Sequence, residues 1–350
     1  MRVVVVGATG NVGTSLLEAL ADEPAVEEVV GIARRMPTIE LPKTRWLRAD
    51  ITDDDLEPHF RGADCVVHLA WLIQPSRDEA VTRRTNVEGT ERVFAATGRA
   101  GVPALVYAGS LGSYSPGPKD YAVDETWPTD GIPASFYGRH KAATERLLDR
   151  FERERPDVRV VRIRPGLVFK REAATGIRRL FAGPLVPSPL LRPGLIPVVP
   201  DIPGLRFQAV HSKDVGDAYR LAIVGDLRGA FNIAADPVLD PDELGRALGA
   251  RKVPVPPGAA RGAVALSWRL RLQPTPSGWV DLALGVPIMD TSRARDELGW
   301  RPQHTSIEAL HELLEGMREG ADYATPPLSR RTTAPARARE LVTGVGQTPR

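Results

Sequence analysis

Tyr137 and Lys141 stand four residues apart in FYGRHKAATERLL, residues 136–148. On a helix that spacing stacks both side chains on one face. A phenol titrates near 10, too high for proton exchange at neutral pH without help. One ammonium at ~4 Å in an effective dielectric of about 20 contributes about 4 kcal/mol, on the order of three pK units, so Lys141 would bring the phenolate within reach. The same lysine would donate to the ribose of a dinucleotide. Upstream, VYAGSLGSY, residues 106–114, supplies Ser110 just beyond a strand, where open α/β sheets place their ligands. Its hydroxyl would hold a substrate oxygen beside Tyr137, with Ser113 as a competitor; either serine would otherwise cap a turn. The bland alternative for the pair is two residues on a solvated face.

A cofactor loop is written at the start of the chain. GATGNVG sets Gly7, Gly10 and Gly13 between a valine strand and a helix. The first turn there needs a residue without Cβ, and the amides at the helix start, from Asn11, Val12 and Gly13, face a pyrophosphate. The spacing is GxxGxxG rather than GxGxxG, so position after the first strand carries the reading. At the end of the second strand an NAD-selective site would offer an acid; this chain offers Ala33, Arg34 and Arg35. Planar guanidinium donors suit a 2′-phosphate, so NADP(H) is favoured over NAD(H), against the alternative of a solvated loop. Asp50, followed by Ile51 in RADITD, is placed to receive the adenine amino group, or else begins a turn.

The elements that must position these residues are legible as alternation. Short β-branched runs at Val3 to Val6, Val29 to Ala33, Trp46 to Ala49, Cys65 to Leu69, Ala104 to Ala108 and Val158 to Ile163 are separated by helical patterns at Gly13 to Ala21, Thr82 to Ala100 and Ser135 to Arg155. Strands of continuous Val, Ile and Leu are covered on both faces. The fold class is α/β: a Rossmann-type doubly wound parallel sheet with a smaller C-terminal substrate-binding lobe. The dinucleotide-binding domain spans 1–165. A lobe at 166–325 is interleaved with late returns to the sheet, among them Phe231 to Ala234, and residues 326–350 read as a disordered basic tail. The proline-rich 183–203 is expected to lack a regular element and to form a lid or wall, and Pro254 to Gly258 and Gln273 to Gly278 read as interruptions.

The totals narrow the function classes. One cysteine, Cys65, in an apolar run excludes an internal disulfide and points to a buried thiol in a reducing, cytoplasmic setting. No apolar run reaches the roughly 18 residues a span requires. The net charge is +2, and the tail's arginines 330, 331, 337, 339 and 350 outweigh its one acid, Glu340, so the body is slightly acidic. The expected partner is a small-molecule substrate, with no nucleic acid and no membrane. The six histidines are scattered, so no metal site is expected; His68 and His140 read as packing or surface residues. AGSLG lacks the first glycine of a hydrolase elbow.

In order along the chain, GATGNVG, ADITD, VVHLA, NVEGT, VYAGS, YGRHK, RIRPG, AVHSKDVGDA, FNIA and DTSRARDELGWRP resemble the extended short-chain dehydrogenase/reductases, the NAD-dependent epimerase/dehydratase group. The resemblance reaches to about residue 320. It implies a Ser110, Tyr137, Lys141 active site. It implies cofactor contacts from Gly7, Gly10, Asn11, Val12, Gly13, Asp50, Ile51, Leu69, Ala70, Asn86, Tyr137 and Lys141, and from the Pro165 to Val168 segment at the nicotinamide end. His211 and Asp214 match a structural pattern. A homodimer through the helix bearing Tyr137 follows only by analogy. Dehydratases of this group carry an acid right after the catalytic hydroxyl, where Leu111 and Gly112 stand here. Sugar-nucleotide epimerases usually carry an Asn at the place of Leu167 and an Arg at that of Phe207, with Arg206 one place off. The expected activity is therefore hydride exchange between a nicotinamide and an alcohol or ketone on a fairly apolar small molecule, walled by Leu185 to Leu205, Trp268 and Trp279. A sugar-nucleotide epimerase with tightly bound NAD is the runner-up. A non-catalytic NADP(H) sensor is the reading outside enzymes, and retention of Tyr137 and Lys141 argues against it.

Overall fold

Seven parallel strands form the centre of the molecule, seen in a computed structural model that describes residues 1–73, 77–174, 176–177 and 196–329. They are β1 (Arg2–Val6), β2 (Glu28–Ala33), β3 (Thr44–Arg48), β4 (Cys65–His68), β5 (Ala104–Ala108), β6 (Arg159–Pro165) and β7 (Gly229–Ile233). Their order across the sheet is β7-β6-β5-β4-β1-β2-β3. The order reverses between β1 and β4, which opens a crevice at their carboxyl ends. Both faces of the valine runs are buried. Val3, Val5, Val67, Val106 and Ile163 pack with Leu16, Leu17, Val215 and Tyr219 on one side. Val4, Val6, Val66, Leu105 and Val160 pack with Val93, Phe94, Leu148 and Phe151 on the other. This two-sided cover is why β1, β2, β4 and β5 show no polar alternation.

The later chain feeds both this sheet and a separate cluster. Helix Ser212–Val224 lies beside helix Asn11–Ala21 under the sheet, and β7 closes its edge. A second apolar cluster joins Phe169, Val199, Ala209, Leu239 and Leu248 to Leu310, Leu313 and Leu314 of helix Ser306–Glu319. The expectation that the proline-rich segment lacks regular structure fails at Val198–Asp201, a strand paired in parallel with Arg251–Pro254. A two-stranded ladder has only outer edges, and there Pro200 removes no needed donor. Residues 178–195, which include most of the expected wall, lie outside the described residues. So do 330–350 of the tail, while Leu328 is buried. The interruption at Pro254 to Gly258 is the start of helix Pro257–Arg269, since proline at the first helical position forfeits no hydrogen bond. Among the described residues no helix is long and apolar enough to cross a membrane.

Helix Phe136–Glu154, which carries Tyr137 and Lys141, starts at Ser135, whose hydroxyl accepts from the Gly138 amide. Its middle is fastened to β6 by charge. Glu145 is fully buried and accepts from Arg164 Nε at 2.9 Å and Nη2 at 3.0 Å, and from Arg162 Nη1 at 3.0 Å. The guanidinium of Arg162 also meets Asp149 at 2.7 Å. Residues 162 and 164 alternate onto one face of the strand, so a single carboxylate serves both. The two guanidinium groups hold the Glu145 carboxyl below its ordinary range against the opposing effect of burial.

Removing that carboxylate leaves the buried Arg164 without its counter-charge, while Arg162 keeps Asp149 and Glu152. Glu145→Ala is expected to lower unfolding free energy by about 3–5 kcal/mol in a denaturant titration. Because the folded pKa of Glu145 is depressed, its contribution is present above the unfolded carboxylate pKa and is lost as pH falls through the folded one. An unchanged denaturation midpoint in the variant contradicts the assignment.

Candidate active site

The phenol of Tyr137 donates to Ser110 Oγ at 2.9 Å, and the same oxygen accepts from the Gly112 amide at 3.0 Å. With both acceptor positions occupied, the Ser110 proton is free to point at a third group. Ser110 lies two residues beyond β5 in extended backbone and caps the short turn Leu111–Ser113. Ser113 is fully buried and donates instead to the Ser110 carbonyl at 2.8 Å, so of the two candidates Ser110 alone meets the phenol. A Cβ on Gly112 would lie 2.5 Å from Tyr137 Cε1. The position where dehydratases carry an acid is thus closed here by the tyrosine ring.

Lys141 departs from the expectation. The residue is 3% exposed, and its ammonium donates to the Ala108 carbonyl at 2.7 Å and lies 3.6 Å from the centroid of the Trp71 indole. It sits 6.0 Å from the Tyr137 ring centroid. Burial pushes the lysine down to about 7, opposed by Glu145. Burial likewise pushes the phenol up to about 12, offset only by the Ser110 hydrogen bond. In this ligand-free arrangement the phenol is a proton donor, and the lowering expected from the lysine is not developed.

Trp71 is the residue that sequence reasoning missed. It follows VVHLA directly, and a bulky aromatic at the exit of β4 was the available signal. Its ring meets Tyr137 edge-on at 5.9 Å, and Trp279 covers the same phenol from another side at 5.4 Å. The indole Nε1 of Trp71 has no hydrogen-bond partner among the described residues. Trp268, the other expected wall, instead sits under the Arg77 guanidinium, 4.6 Å from its ring centroid.

At the glycine loop, Gly7 adopts φ +88 and a Cβ there would lie 2.5 Å from the Ala70 amide, so Leu69 and Ala70 pass hard against it. Gly10 is the N-cap of helix Asn11–Ala21 with no side chain capping the helix. The first helical amides, from Asn11, Val12 and Gly13, therefore have no intrahelical partner, and the cradle fits a pyrophosphate. Asn11 Nδ2 donates to the Val168 carbonyl at 3.1 Å, bringing the Pro165 to Val168 segment to the loop, while its Oδ1 has no partner among the described residues. Two expected contacts act differently. Asn86, fully buried on a π-helical turn at Arg84–Gly89, spends its amide on Leu72 N at 2.7 Å and Leu72 O at 3.0 Å, so it fixes the loop carrying Leu69 to Trp71. The Ile51 side chain is in the core, and its carbonyl accepts from Arg92 at 2.9 Å. Arg34 and Arg35 are exposed at the β2 end, with Arg34 3.8 Å from Asp50, whose other oxygen accepts from Thr52 N and Oγ1.

The remaining titratable residues stay outside this centre. Cys65 is fully buried, its thiol pushed up to about 12 by burial. His68 bonds Thr90 at 2.8 Å and is pushed down to about 3 by burial. His140 is buried beside Glu79. The reading of the histidines as scattered is corrected by His211 and His304, whose rings stack at 4.1 Å beside Glu312. The Lys213 amide donates to His211 Nδ1, which puts the imidazole proton on Nε2, and Nε2 then donates to Glu312 at 3.1 Å. His211 is thereby held in a form that offers no free imidazole lone pair at Nε2. Asp214 receives the His304 amide at 3.0 Å and its Nδ1 at 3.1 Å.

The buried lysine carries a stability cost. Lys141→Met is expected to melt higher than the parent in ligand-free protein, by roughly 2 °C or more. The folded pKa of Lys141 lies below its ordinary 10.5, so the folded parent binds fewer protons and gains stability as pH rises from about 7 towards that value. The advantage of the variant should shrink across the same window. Melting curves that stay superimposed below pH 7 rule this out.

The family model described as the NAD dependent epimerase/dehydratase family matches residues 3–182, just over half of the chain. An uncharacterised protein of Mycobacterium tuberculosis is 28% identical over 328 residues, covering 90% of this chain and 83% of that protein. The decarboxylating sterol-4-alpha-carboxylate 3-dehydrogenase of Candida albicans is 26% identical over 255 residues, 68% of this chain and 65% of that one. Among solved structures, UDP-glucose 4-epimerase of Thermotoga maritima superposes with a TM-score of 0.68 at 22% identity, covering 91% of this chain and 99% of its own. dTDP-glucose 4,6-dehydratase of Streptomyces venezuelae, solved with NAD bound, gives 0.68 at 22% identity over 94% of this chain and all of its own. With the order of the sheet, the glycine cradle and the Ser110, Tyr137, Lys141 cluster, the chain belongs to the NAD-dependent epimerase/dehydratase family of extended short-chain dehydrogenase/reductases.

Proposed function

We propose that the protein is a nicotinamide-dependent oxidoreductase that interconverts an alcohol and a ketone on a fairly apolar small molecule, with NADP(H) as the preferred dinucleotide. The observation that carries the reading is the contact of the Tyr137 hydroxyl with Ser110 Oγ at 2.9 Å, next to a buried lysine. The residues that would hold the dinucleotide are Gly10 to Gly13 at the pyrophosphate, Arg34 and Arg35 at a 2′-phosphate, and Lys141 at the ribose. The bound nicotinamide would supply or accept the hydride. Ser110, its oxygen already saturated by two donors, turns its proton to the substrate carbonyl and orients it. Tyr137 releases its proton to that oxygen in the reduction direction and recovers it in the oxidation direction. Lys141, once drawn from the Trp71 face towards the phenol, stabilises the phenolate that remains.

The substrate class is supported by the walls. Trp71 and Trp279 flank the phenol, and Leu111, Phe136 and Leu282 back them, which favours a flat or bulky apolar group over a hydrated sugar. The similarity to a sterol dehydrogenase points the same way. A sugar-nucleotide epimerase is the second reading, favoured by two half-buried cations, Lys119 and Arg206. Lys119 is pushed down to about 8 by burial and by its neighbour Arg206. Against it, the Arg206 guanidinium already donates to the Lys119 carbonyl, and no amide stands at Leu167 and no arginine at Phe207.

A panel of apolar ketones and alcohols with NADPH or NADP⁺, followed by nicotinamide absorbance, tests the reaction. Tyr137→Phe is expected to lower kcat by about 10²–10⁴-fold on any substrate turned over while leaving dinucleotide affinity within a few-fold. Turnover of UDP- or dTDP-hexoses with none of apolar ketones overturns the substrate assignment.

The cofactor choice has its own measurement. The double change Arg34→Glu and Arg35→Glu removes two charge-assisted contacts and adds repulsion, so NADPH should bind about 10–100-fold more weakly with NADH little affected. Equal NADPH and NADH dissociation constants in the parent protein would falsify the preference.

A further inference from the structure

From Leu244 to Val280 the chain carries Arg246, Arg251, Lys252, Arg261, Arg269 and Arg271 and no aspartate or glutamate, in a protein with 46 cationic and 44 acidic side chains overall. At the centre of this stretch, helix Pro257–Arg269 buries none of its residues. Its inner side is tied down. Trp268 lies under Arg77, whose Nη2 donates to the Trp268 carbonyl at 2.6 Å, and Arg261 pairs with Asp281 at 2.9 Å. At 100° per residue, Ala259, Ala263, Leu266 and Leu270 fall together on the outer side. Leu266, Leu270 and Leu272 are 59%, 60% and 51% exposed, and Val253 on the strand before the helix is 43% exposed.

Single exposed leucines need no explanation, but three within seven residues do. Arg269 and Arg271 are interleaved with them and are exposed. Arg271 takes φ 59, unfavourable for a residue with a Cβ, and the chain turns there so that the Leu272 amide returns to the Ser267 carbonyl at 2.9 Å. Lys252 and Arg261 are neutralised by Asp242 and Asp281, which leaves Arg251, Arg269 and Arg271 as the charge of this face. A nucleic acid would meet the arginines and leave the leucines in water. An acyl and headgroup boundary takes both at one depth, with aliphatic groups inward and guanidinium groups on phosphates.

We propose that the outer face of Pro257–Arg269, with the turn through Leu272, docks on an anionic lipid bilayer. Leu266, Leu270 and Leu272 enter the interface, and Arg269 and Arg271 sit at the lipid phosphates. This replaces the expectation of no membrane partner, which rested on the lack of a spanning run and on the tail. The docking stands apart from the catalytic reading. Where that reading also holds, the helix is on the rim of the aromatic cleft: Arg77 ties it to the segment that follows Trp71, and helix Gly278–Gly285, bearing Trp279, packs beside it. An apolar substrate dissolved in the bilayer would then reach the cleft without crossing water.

The test is co-sedimentation of the full-length protein with vesicles of phosphatidylcholine mixed with phosphatidylglycerol, and with phosphatidylcholine alone. The parent should sediment with the mixed vesicles, less so as salt rises. Leu266→Ser, Leu270→Ser and Leu272→Ser together should weaken this on the order of tenfold, as should Arg269→Glu with Arg271→Glu. Both variants should keep the parental circular-dichroism melt, since every changed side chain is exposed. Changing Arg330, Arg331, Arg337 and Arg339 to Gln should leave vesicle binding in place. No sedimentation of the parent at low salt overturns the proposal. So does loss of binding in the tail variant alone, or a dimer that the leucine variant converts to a monomer in sedimentation velocity while vesicles are ignored. Equal retention of parent and leucine variant on duplex DNA without vesicle binding would assign the face to nucleic acid instead.

Discussion

An ammonium group kept inside the protein organises this site. Lys141 is shielded by the Trp71 indole, donates to the end of β5 through the Ala108 carbonyl, and has the Glu145 carboxylate one turn further along its helix. None of these partners is a direct ion pair with the lysine. A hydrogen bond to a carbonyl and the face of an indole offset part of the desolvation, and the rest appears as a depressed pKa. A cation held this loosely can be moved. Were Glu145 in contact with it, the charge would be locked. Instead Glu145 is occupied by Arg162 and Arg164, which immobilises the helix and leaves the lysine free to respond to whatever enters the crevice.

The second constraint is steric and selects chemistry by exclusion. Tyr137 lies so close to Gly112 that no side chain fits there without displacing the ring. An acid beside the catalytic hydroxyl, which elimination of water from a sugar would require, is therefore incompatible with the phenol's present seat. The same contact holds the phenol against Ser110. One glycine thus serves two ends: it lets its own amide reach Ser110 Oγ, and it gives the tyrosine a fixed wall.

How far the residues announce all this varies with the range of the interaction. The middle of the sheet is readable because β1, β2, β4 and β5 are buried on both faces and so lose the polar alternation that would disguise them, and the helix of Tyr137 because its cap, stripe and Pro156 are local. Spacing alone placed Tyr137 and Lys141 on one face, and the strand end placed Ser110. What did not show is what depends on distant partners. Trp71 looks like any aromatic until the fold sets it against a lysine 70 positions later. Asn86 reads as a ligand in the family pattern, yet its amide is spent on Leu72, which no local signal reveals. The strand at Val198–Asp201 was hidden by its prolines, since the tolerance of an edge for proline is a property of the finished sheet. For Lys141, helical spacing fixes which face the side chain leaves from, but four rotatable bonds decide where its charge rests.

The crevice is positive at both of its ends, and that asymmetry bears on what it holds. Arg34 and Arg35 mark the β2 end, helix Asn11–Ala21 points its uncapped amides into the middle, and Lys141 stands at the far end. Asp50 counters one of the arginines at 3.8 Å, a distance at which an exposed pair contributes little, so it neither cancels the patch nor fixes Arg34 in place. The field that remains suits a ligand bearing phosphates along its length, and the exposed arginines can close on an additional phosphate without first breaking a strong bond. A single carboxylate at the end of β2, in place of Ala33 or Arg34, would instead repel such a phosphate. On the proposed reading, dinucleotide selectivity would rest on the absence of one negative charge, and proton chemistry on the mobility of one positive one.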